Sequence, residues 1–170
     1  MTMNYDAISS IVKFNEISGN DRKKRSINDP SVDAQFDFIE EEFEELNEAM
    51  QHNDLVGTLD ACADVIVTTV GLIHKLGYDP NEVMQIVNDC NMSKFVSTKQ
   101  EADASIDAYD QDERYSDVHV NWHPIYRGGD QFTEIGIVQG KKNGVEGWKI
   151  LKGINTQKPE YLLNSLIDED

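Results

Sequence analysis

The sequence is poor in cysteine and has no long apolar run. Its two cysteines, Cys62 and Cys90, form no CxxC pair, which argues against a disulfide framework or a metal–thiolate site. Both fall within predicted helices and are expected to be reduced core residues. No apolar run approaches the roughly 18 residues that a membrane span needs, and the amino terminus shows no signal-peptide pattern. These absences predict a soluble, cytoplasmic protein without a membrane partner.

Positive charge is also scarce. Fifteen Lys and Arg residues face 32 Asp and Glu residues, which gives a net charge of −17. Direct nucleic-acid binding needs clustered basic residues and is therefore not expected. The densest basic cluster, DRKKR at residues 21–25, is interpreted either as a solvated surface or as a phosphate clamp. Between Ser26 and His74 the chain carries twelve acidic residues and no Lys or Arg.

The first half of this acidic segment predicts an amphipathic helix. Helical periodicity places one apolar stripe toward the core, made of Phe36, Ile39, Phe43, Leu46 and Met50. Three carboxylates lie on a different face, and their i, i+1, i+4 spacing lets them converge. These are Glu41, Glu42 and Glu45.

The second half, after a polar break at residues 51–54, predicts a buried helix. Residues 59–73 are apolar or small nearly all round, and the only charges before His74 are Asp60 and Asp64, which share one face. Burying an unpaired carboxylate costs several kcal/mol, and the segment offers no cation. Oxygen ligands from two helices suit Mg²⁺ or Mn²⁺. A merely acidic surface is the alternative.

The rest of the chain predicts further helices and a small β-hairpin. Helices are expected at residues 5–16, 80–95, 99–109 and 159–166, and strands at 134–139 and 147–152. Asn88, Asn91 and Lys94 are spaced three residues apart and share one helix ridge. This ridge is interpreted either as an ordinary polar face or as a phosphate-binding site. The predicted fold is mainly α, a four-to-five-helix bundle with a small C-terminal β-hairpin. Residues 1–110 are expected to form the core domain and residues 111–170 an extension.

The motifs together resemble a known superfamily. EEFEE at residues 41–45 is an EExxE motif, DACAD at residues 60–64 is a DxxxD motif, and NMSKF occupies residues 91–95. This order resembles the MazG-like branch of the all-α nucleoside triphosphate pyrophosphohydrolases, a superfamily that includes dimeric dUTPases and phosphoribosyl-ATP pyrophosphohydrolase. The usual second motif is ExxD, which fails here because Ala61 stands three residues before Asp64. The DxxxD form resembles phage-encoded members, which would place the protein in the host cytoplasm.

The resemblance implies a reaction and a set of residues. Glu41, Glu42, Glu45, Asp60 and Asp64 would hold Mg²⁺ (or Mn²⁺), and Glu41 or Glu42 would act as the catalytic base. Lys94, Asn91 and Asn88 would bind the substrate, and Phe14 and Asn15 would lie near the base of the nucleotide. The implied reaction cleaves a nucleoside triphosphate into a monophosphate and pyrophosphate. The implied role is control of the nucleotide pool, with dGTP or another purine deoxynucleotide as substrate, dUTP as the alternative, and a homodimer or homotetramer as the assembly.

A function of another class also fits the charge. A protein this acidic is a candidate DNA mimic or an inhibitor that binds a basic protein surface. That hypothesis accounts for exposed acids such as Glu40 and Glu44. It leaves the two aspartates on an apolar helix unexplained.

Overall fold

The computed structural model describes residues 6–126 and 132–168. Within these ranges the chain forms six helices and a three-stranded antiparallel sheet, which confirms a mainly α protein with a small C-terminal β structure. The helices are α1 (Ala7–Ile17), α2 (Pro30–Gln51), α3 (Leu55–Lys75), α4 (Pro80–Met92), α5 (Lys99–Asp110) and α6 (Pro159–Asp168). The strands are β1 (Tyr115–Tyr126), β2 (Phe132–Lys142) and β3 (Trp148–Ile150).

The chain divides into two compact units. The first is Met1–Gln85 and the second is Ile86–Asp170, so that the division falls inside α4. The domain boundary expected at residue 110 stays a prediction.

Aspartate side chains cap α1, α2 and α3. Asp6 accepts a hydrogen bond from the backbone of Ser9, Asp29 from that of Ser31 and Asp54 from that of Gly57. Such caps satisfy backbone N–H groups that have no partner within the helix. Ser31 and Asp33 lie inside α2, after its N-cap Asp29.

Helices α2 and α3 form an antiparallel hairpin through a short turn at residues 52–54. Small residues of α3 allow a close approach to α2. A Cβ atom added at Gly57 would lie 3.3 Å from the Cβ of Ala49, and one added at Gly71 would lie 3.1 Å from Nε2 of Gln35. Gln35 also donates a hydrogen bond to the carbonyl oxygen of Thr68 over 3.3 Å.

The shielded stripe of α2 differs from the expected one. It consists of Val32, Gln35, Ile39, Glu42, Leu46 and Ala49, all buried or half-buried. Phe36, Phe43 and Met50 are 47–65% exposed, so the predicted core-facing stripe is wrong for these three residues. Because the contacting residues of α3 are small, the two helices pack closely. The largest apolar side chains of α2 therefore lie outside the contact.

Helix α3 is less buried than its composition predicts. Leu55, Val56, Leu59 and Ile66 are each more than half exposed. Cys62 is also exposed, which corrects its expected place in the core, whereas Cys90 is buried. Among the described helices, α3 alone is long and apolar enough to cross a membrane, contrary to the expectation that no such run exists. Length and composition are weak evidence for a span, and the finding is consistent with a soluble protein.

The second unit packs α5 against the sheet. Its core contains Val96, Ala102, Val138 and Leu151. Strand β2 pairs with β3 as Gln139 with Ile150, which confirms the predicted hairpin. Strand β1, which pairs with β2 as Val120 with Val138, was not predicted.

Candidate functional site

Glu42 occupies the shielded stripe between α2 and α3. The contacts of Ala49 with Gly57 and of Gln35 with Thr68 fix the antiparallel register of the hairpin. Glu42 lies midway between Gln35 and Ala49, and the corresponding part of α3 is the turn around Asp64. Residues seven apart return to the same helix face, so Gln35, Glu42 and Ala49 share the face that packs on α3.

The other four predicted carboxylates all act electrostatically on Glu42. The pKa of Glu42 is raised above its ordinary value of 4.5, first by burial and then by repulsion from neighbouring carboxylates. In order of effect these are Asp64, Glu45, Glu41 and Asp60. The five residues of the predicted metal set therefore form one electrostatic cluster around Glu42, here called the carboxylate cluster.

The cluster is more open to solvent than the sequence predicts. Asp64 is half-buried, but Asp60 is exposed, as are Glu41 and Glu45. The expectation that both aspartates are buried is therefore wrong for Asp60. Helix α3 packs against α2 through its small residues, among them the buried Ala61. Asp60 precedes Ala61 by one residue and lies outside this contact surface.

A hollow beside the cluster brings in two residues that sequence reasoning missed. The hollow measures about 430 Å³ and is lined by Glu45 and Asp60 together with Glu48 and His52. The signal that could have found both residues is helical spacing, because positions 45, 48 and 52 follow one ridge.

The donor chemistry of the cluster fits a hard divalent cation. Every candidate ligand is a carboxylate oxygen, the ligand type that Mg²⁺ and Mn²⁺ prefer, and the intervening sequence supplies no Lys or Arg. Within residues 6–126 and 132–168, however, no three Asp, Glu, His or Cys side chains converge closely enough to hold a metal ion. Mutual repulsion of ionised carboxylates favours such a spread arrangement.

Two neighbouring pockets of the first unit share Phe14. One, of about 310 Å³, contains Asp64 in its wall. The other, of about 330 Å³, is lined by the amides of Asn15, Asn20 and Gln35. The buried Oδ1 of Asn20 has no hydrogen-bond partner among the described atoms. The pair of pockets thus joins an aromatic ring and an amide-rich wall to one carboxylate of the cluster.

The basic segment at residues 21–25 has mainly structural contacts. Arg22 forms an ion pair with Asp79 at 3.0 Å, and Lys24 lies 3.5 Å from the centre of the Tyr78 ring. Arg25 donates a hydrogen bond to the carbonyl oxygen of Lys75 at 2.7 Å. These contacts favour a role in anchoring the loop over a phosphate clamp.

The predicted substrate-binding residues lie in the second unit. Nζ of Lys94 donates a hydrogen bond to Oδ1 of Asn91 over 2.6 Å, so these two residues are brought together. Asn88 is exposed on α4. Lys94 follows the end of α4, in a turn where its backbone N–H donates to the carbonyl of Asn91.

Comparison with known families identifies part of the chain. Residues 20–91 match the model of the phosphoribosyl-ATP pyrophosphohydrolase family. These residues are a phosphoribosyl-ATP pyrophosphohydrolase domain. The domain belongs to the MazG-like all-α superfamily, which confirms the superfamily that the motifs resemble. No curated protein and no solved structure matches the chain.

The phosphoribosyl-ATP pyrophosphohydrolase domain covers less than half of the 170 residues but includes the whole carboxylate cluster. It contains all of α2 and α3 and ends inside α4, three residues before Lys94. The family supports pyrophosphohydrolase activity on a nucleotide substrate. The phage type stays a prediction.

Proposed function

We propose that this protein hydrolyses nucleoside triphosphates to a monophosphate and pyrophosphate with the help of Mg²⁺ or Mn²⁺. The observation that carries the proposal is the carboxylate cluster, in which burial and then four neighbouring carboxylates raise the pKa of Glu42. Such concentrated negative charge in a helical hairpin disfavours folding unless a cation offsets it. The family match of the same residues supports hydrolysis of a nucleotide anhydride.

The proposed ligands are Glu41, Glu42, Glu45, Asp60 and Asp64. A bound divalent cation would offset phosphate charge and acidify a coordinated water. Glu41 or Glu42 would accept a proton from the attacking water, because a carboxylate next to a reacting water is a suitable general base. The narrow contact between α2 and α3 positions these side chains, since it fixes the register of the two helices.

The remaining substrate contacts are assigned by chemistry. Lys94 would bind a phosphate oxygen as a point charge, and Asn91 and Asn88 would donate hydrogen bonds from their amides. The pockets around Phe14 would receive the base, with Asn15 and its amide neighbours in the wall. Asn20 offers an unpartnered acceptor that suits an N–H group of a base.

The proposed substrate is a purine deoxynucleoside triphosphate such as dGTP, which would give the protein a role in controlling the nucleotide pool. dUTP is the alternative within the superfamily. The matched family description names phosphoribosyl-ATP, which provides a third substrate to compare.

We further propose that the protein acts as a homodimer or homotetramer. Phe36, Phe43 and Met50 on α2 are 47–65% exposed, and Leu55 and Leu59 on α3 are 72% and 64% exposed. Apolar surface of this extent on two neighbouring helices favours association. Light scattering combined with size-exclusion chromatography measures the assembly, and a monomer at micromolar concentration would refute this part.

The experiment that tests the function is product analysis over a substrate panel. Each of the four deoxynucleotides, dUTP, the ribonucleotides and phosphoribosyl-ATP is incubated with the protein, with Mg²⁺, with Mn²⁺ or with a chelator. The proposal expects pyrophosphate and a monophosphate in equal amounts from one or two substrates, and only with metal. Release of inorganic phosphate and a diphosphate, or no turnover of any substrate, would refute it. No turnover of any substrate, together with no metal binding, would favour the alternative hypothesis of an acidic protein that binds a basic protein surface.

A further inference from the structure

A pocket of the second unit contains two lysines from distant parts of the chain. The pocket measures about 410 Å³ and is lined by Asn91, Met92, Lys94, Phe95, Ile150 and Lys152. Lys94 and Asn91 come from the turn that ends α4. Ile150 and Lys152 come from the end of β3 and the residues that follow it, more than fifty residues later in the chain.

Alternation along the chain explains why Lys152 lies in this pocket. Side chains of an extended segment point alternately to opposite sides. Leu151 and Gly153 are buried, and Leu151 is part of the core of the unit. Ile150 and Lys152 therefore point the other way, toward the pocket. The Lys152 backbone N–H donates to the Tyr109 hydroxyl over 3.0 Å, which fixes the segment at this residue.

Direct contacts hold the two walls of the pocket together. The backbone N–H of Gly153 donates to the carbonyl oxygen of Lys94 over 2.9 Å, and that of Gln157 donates to the Ser93 hydroxyl over 2.9 Å. A Cβ atom at Gly153 would lie 2.8 Å from the same Lys94 oxygen, so glycine permits this close approach. The positions of Lys94 and Lys152 are thus set by backbone contacts rather than by flexible side chains.

Both ammonium groups are available to an anion. Within the described part of the chain, neither one lies within 4 Å of a carboxylate, whereas Lys141 and Lys99 are paired with acids. Residues 138–158 contain five lysines and a single acidic residue, Glu146, in a chain of net charge −17. The pocket therefore lies beside the locally basic part of an acidic protein, and its Met92, Phe95 and Ile150 provide an apolar wall.

We infer that Lys152 is a second phosphate-binding lysine, which together with Lys94 and Asn91 binds the polyphosphate of a nucleotide. The inference rests on the proposed function for the identity of the ligand. Two ammonium groups beside an apolar wall suit a polyanion that carries an apolar portion. Lys152 lies outside the matched family region, and the contact between Gly153 and Lys94 in the folded structure associates the two lysines.

The test compares Lys152→Ala with Lys149→Ala. Lys149 is an exposed residue of β3 that does not line the pocket, so its removal changes the net charge equally. Calorimetry measures binding of inorganic pyrophosphate and of a nucleoside triphosphate to the full chain with a chelator present, and KM and kcat are measured with Mg²⁺. Lys152→Ala is expected to raise both Kd and KM about fivefold to tenfold, as for loss of one charge-assisted contact, with kcat little changed.

Three results separate this inference from the proposed function. Equal constants for the two variants, in a protein that does cleave nucleotides, would overturn the role of Lys152 alone. Lys152-dependent pyrophosphate binding in a protein that cleaves no nucleotide would support the pocket and refute the function. Lys152→Arg is the folding control, and it should restore most of the binding because it restores the charge. Failure of Lys152→Arg to improve binding over Lys152→Ala would contradict a phosphate contact.

Discussion

Replacing Glu42 by glutamine should stabilise the metal-free protein at neutral pH. Burial and four carboxylates raise the pKa of Glu42, so the native state holds its proton more tightly than the unfolded state does. Protonation of Glu42 therefore stabilises the native state relative to the unfolded state, and this stabilisation is fully present below the ordinary pKa of 4.5. It is lost as the pH rises through the raised pKa of the folded protein. Glutamine keeps the shape and carries no charge at any pH.

The size of the effect follows from the four neighbours. A like-charge pair one helical turn apart, as Glu42 and Glu45 are, destabilises by about 0.2–0.5 kcal/mol. The low end of that range is applied to each of the four neighbours, because solvent screens a partly exposed group. Four pairs at about 0.25 kcal/mol give about 1 kcal/mol, or about 2–4 °C in Tm for a chain of this length. The gain should shrink as the pH falls toward 4.5, since Glu42 of the wild type then becomes neutral too.

Thermal unfolding with a chelator, from pH 4.5 to pH 8, measures this difference. Glu44→Gln is the matched control, because Glu44 is an exposed acid of the same helix and is absent from the carboxylates that shift Glu42. Adding Mg²⁺ should raise the Tm of the wild type and of Glu44→Gln, and raise that of Glu42→Gln less. If the two variants behave alike at every pH, the electrostatic account of the cluster is wrong.

Three further variants test other parts of the account. Asp64→Ala should abolish turnover, by a factor above about 10² if a metal ligand is lost, with circular dichroism unchanged; normal activity would remove Asp64 from the metal set. Lys94→Ala should raise KM about tenfold with a smaller change in kcat, and an unchanged KM in steady-state kinetics would return Lys94 to a solvated surface. Gly153→Ala should lower stability by about 1–3 kcal/mol, because the new Cβ meets the Lys94 carbonyl oxygen at 2.8 Å; an unchanged denaturation midpoint would show that this backbone contact is not tight.

The sequence predicts the hairpin and its carboxylates well, because both depend on local spacing. The polar break before α3, the EExxE motif and the DxxxD motif are all readable along the chain. The face of α2 that packs on α3 cannot be read along the chain, since Phe36 and Phe43 have the periodicity of core residues yet are exposed. Their exposure follows from the small residues of α3, such as Gly57 and Gly71, which bring the helices together along a different stripe. That stripe includes Glu42.

The second unit was predicted less completely because its contacts are long-range. Strand β1 carries Val118, Val120 and Trp122 at alternate positions, a pattern typical of a half-buried strand, but Pro124 at the next alternate position argues against a strand. Its identity as a strand depends on pairing with β2. The association of Lys152 with Lys94 likewise depends on the backbone contact at Gly153, which no spacing in the sequence reveals.

We propose that the carboxylate cluster, rather than acidity in general, supports metal-dependent hydrolysis. The most direct test of this proposal is the initial rate of pyrophosphate release at increasing Mg²⁺ for the wild type, Glu42→Gln and Glu44→Gln, with the best substrate of the panel. We expect metal-dependent release by the wild type and by Glu44→Gln, and loss of release in Glu42→Gln at every metal concentration. Equal rates for the two variants, or release that needs no metal, would contradict the proposal.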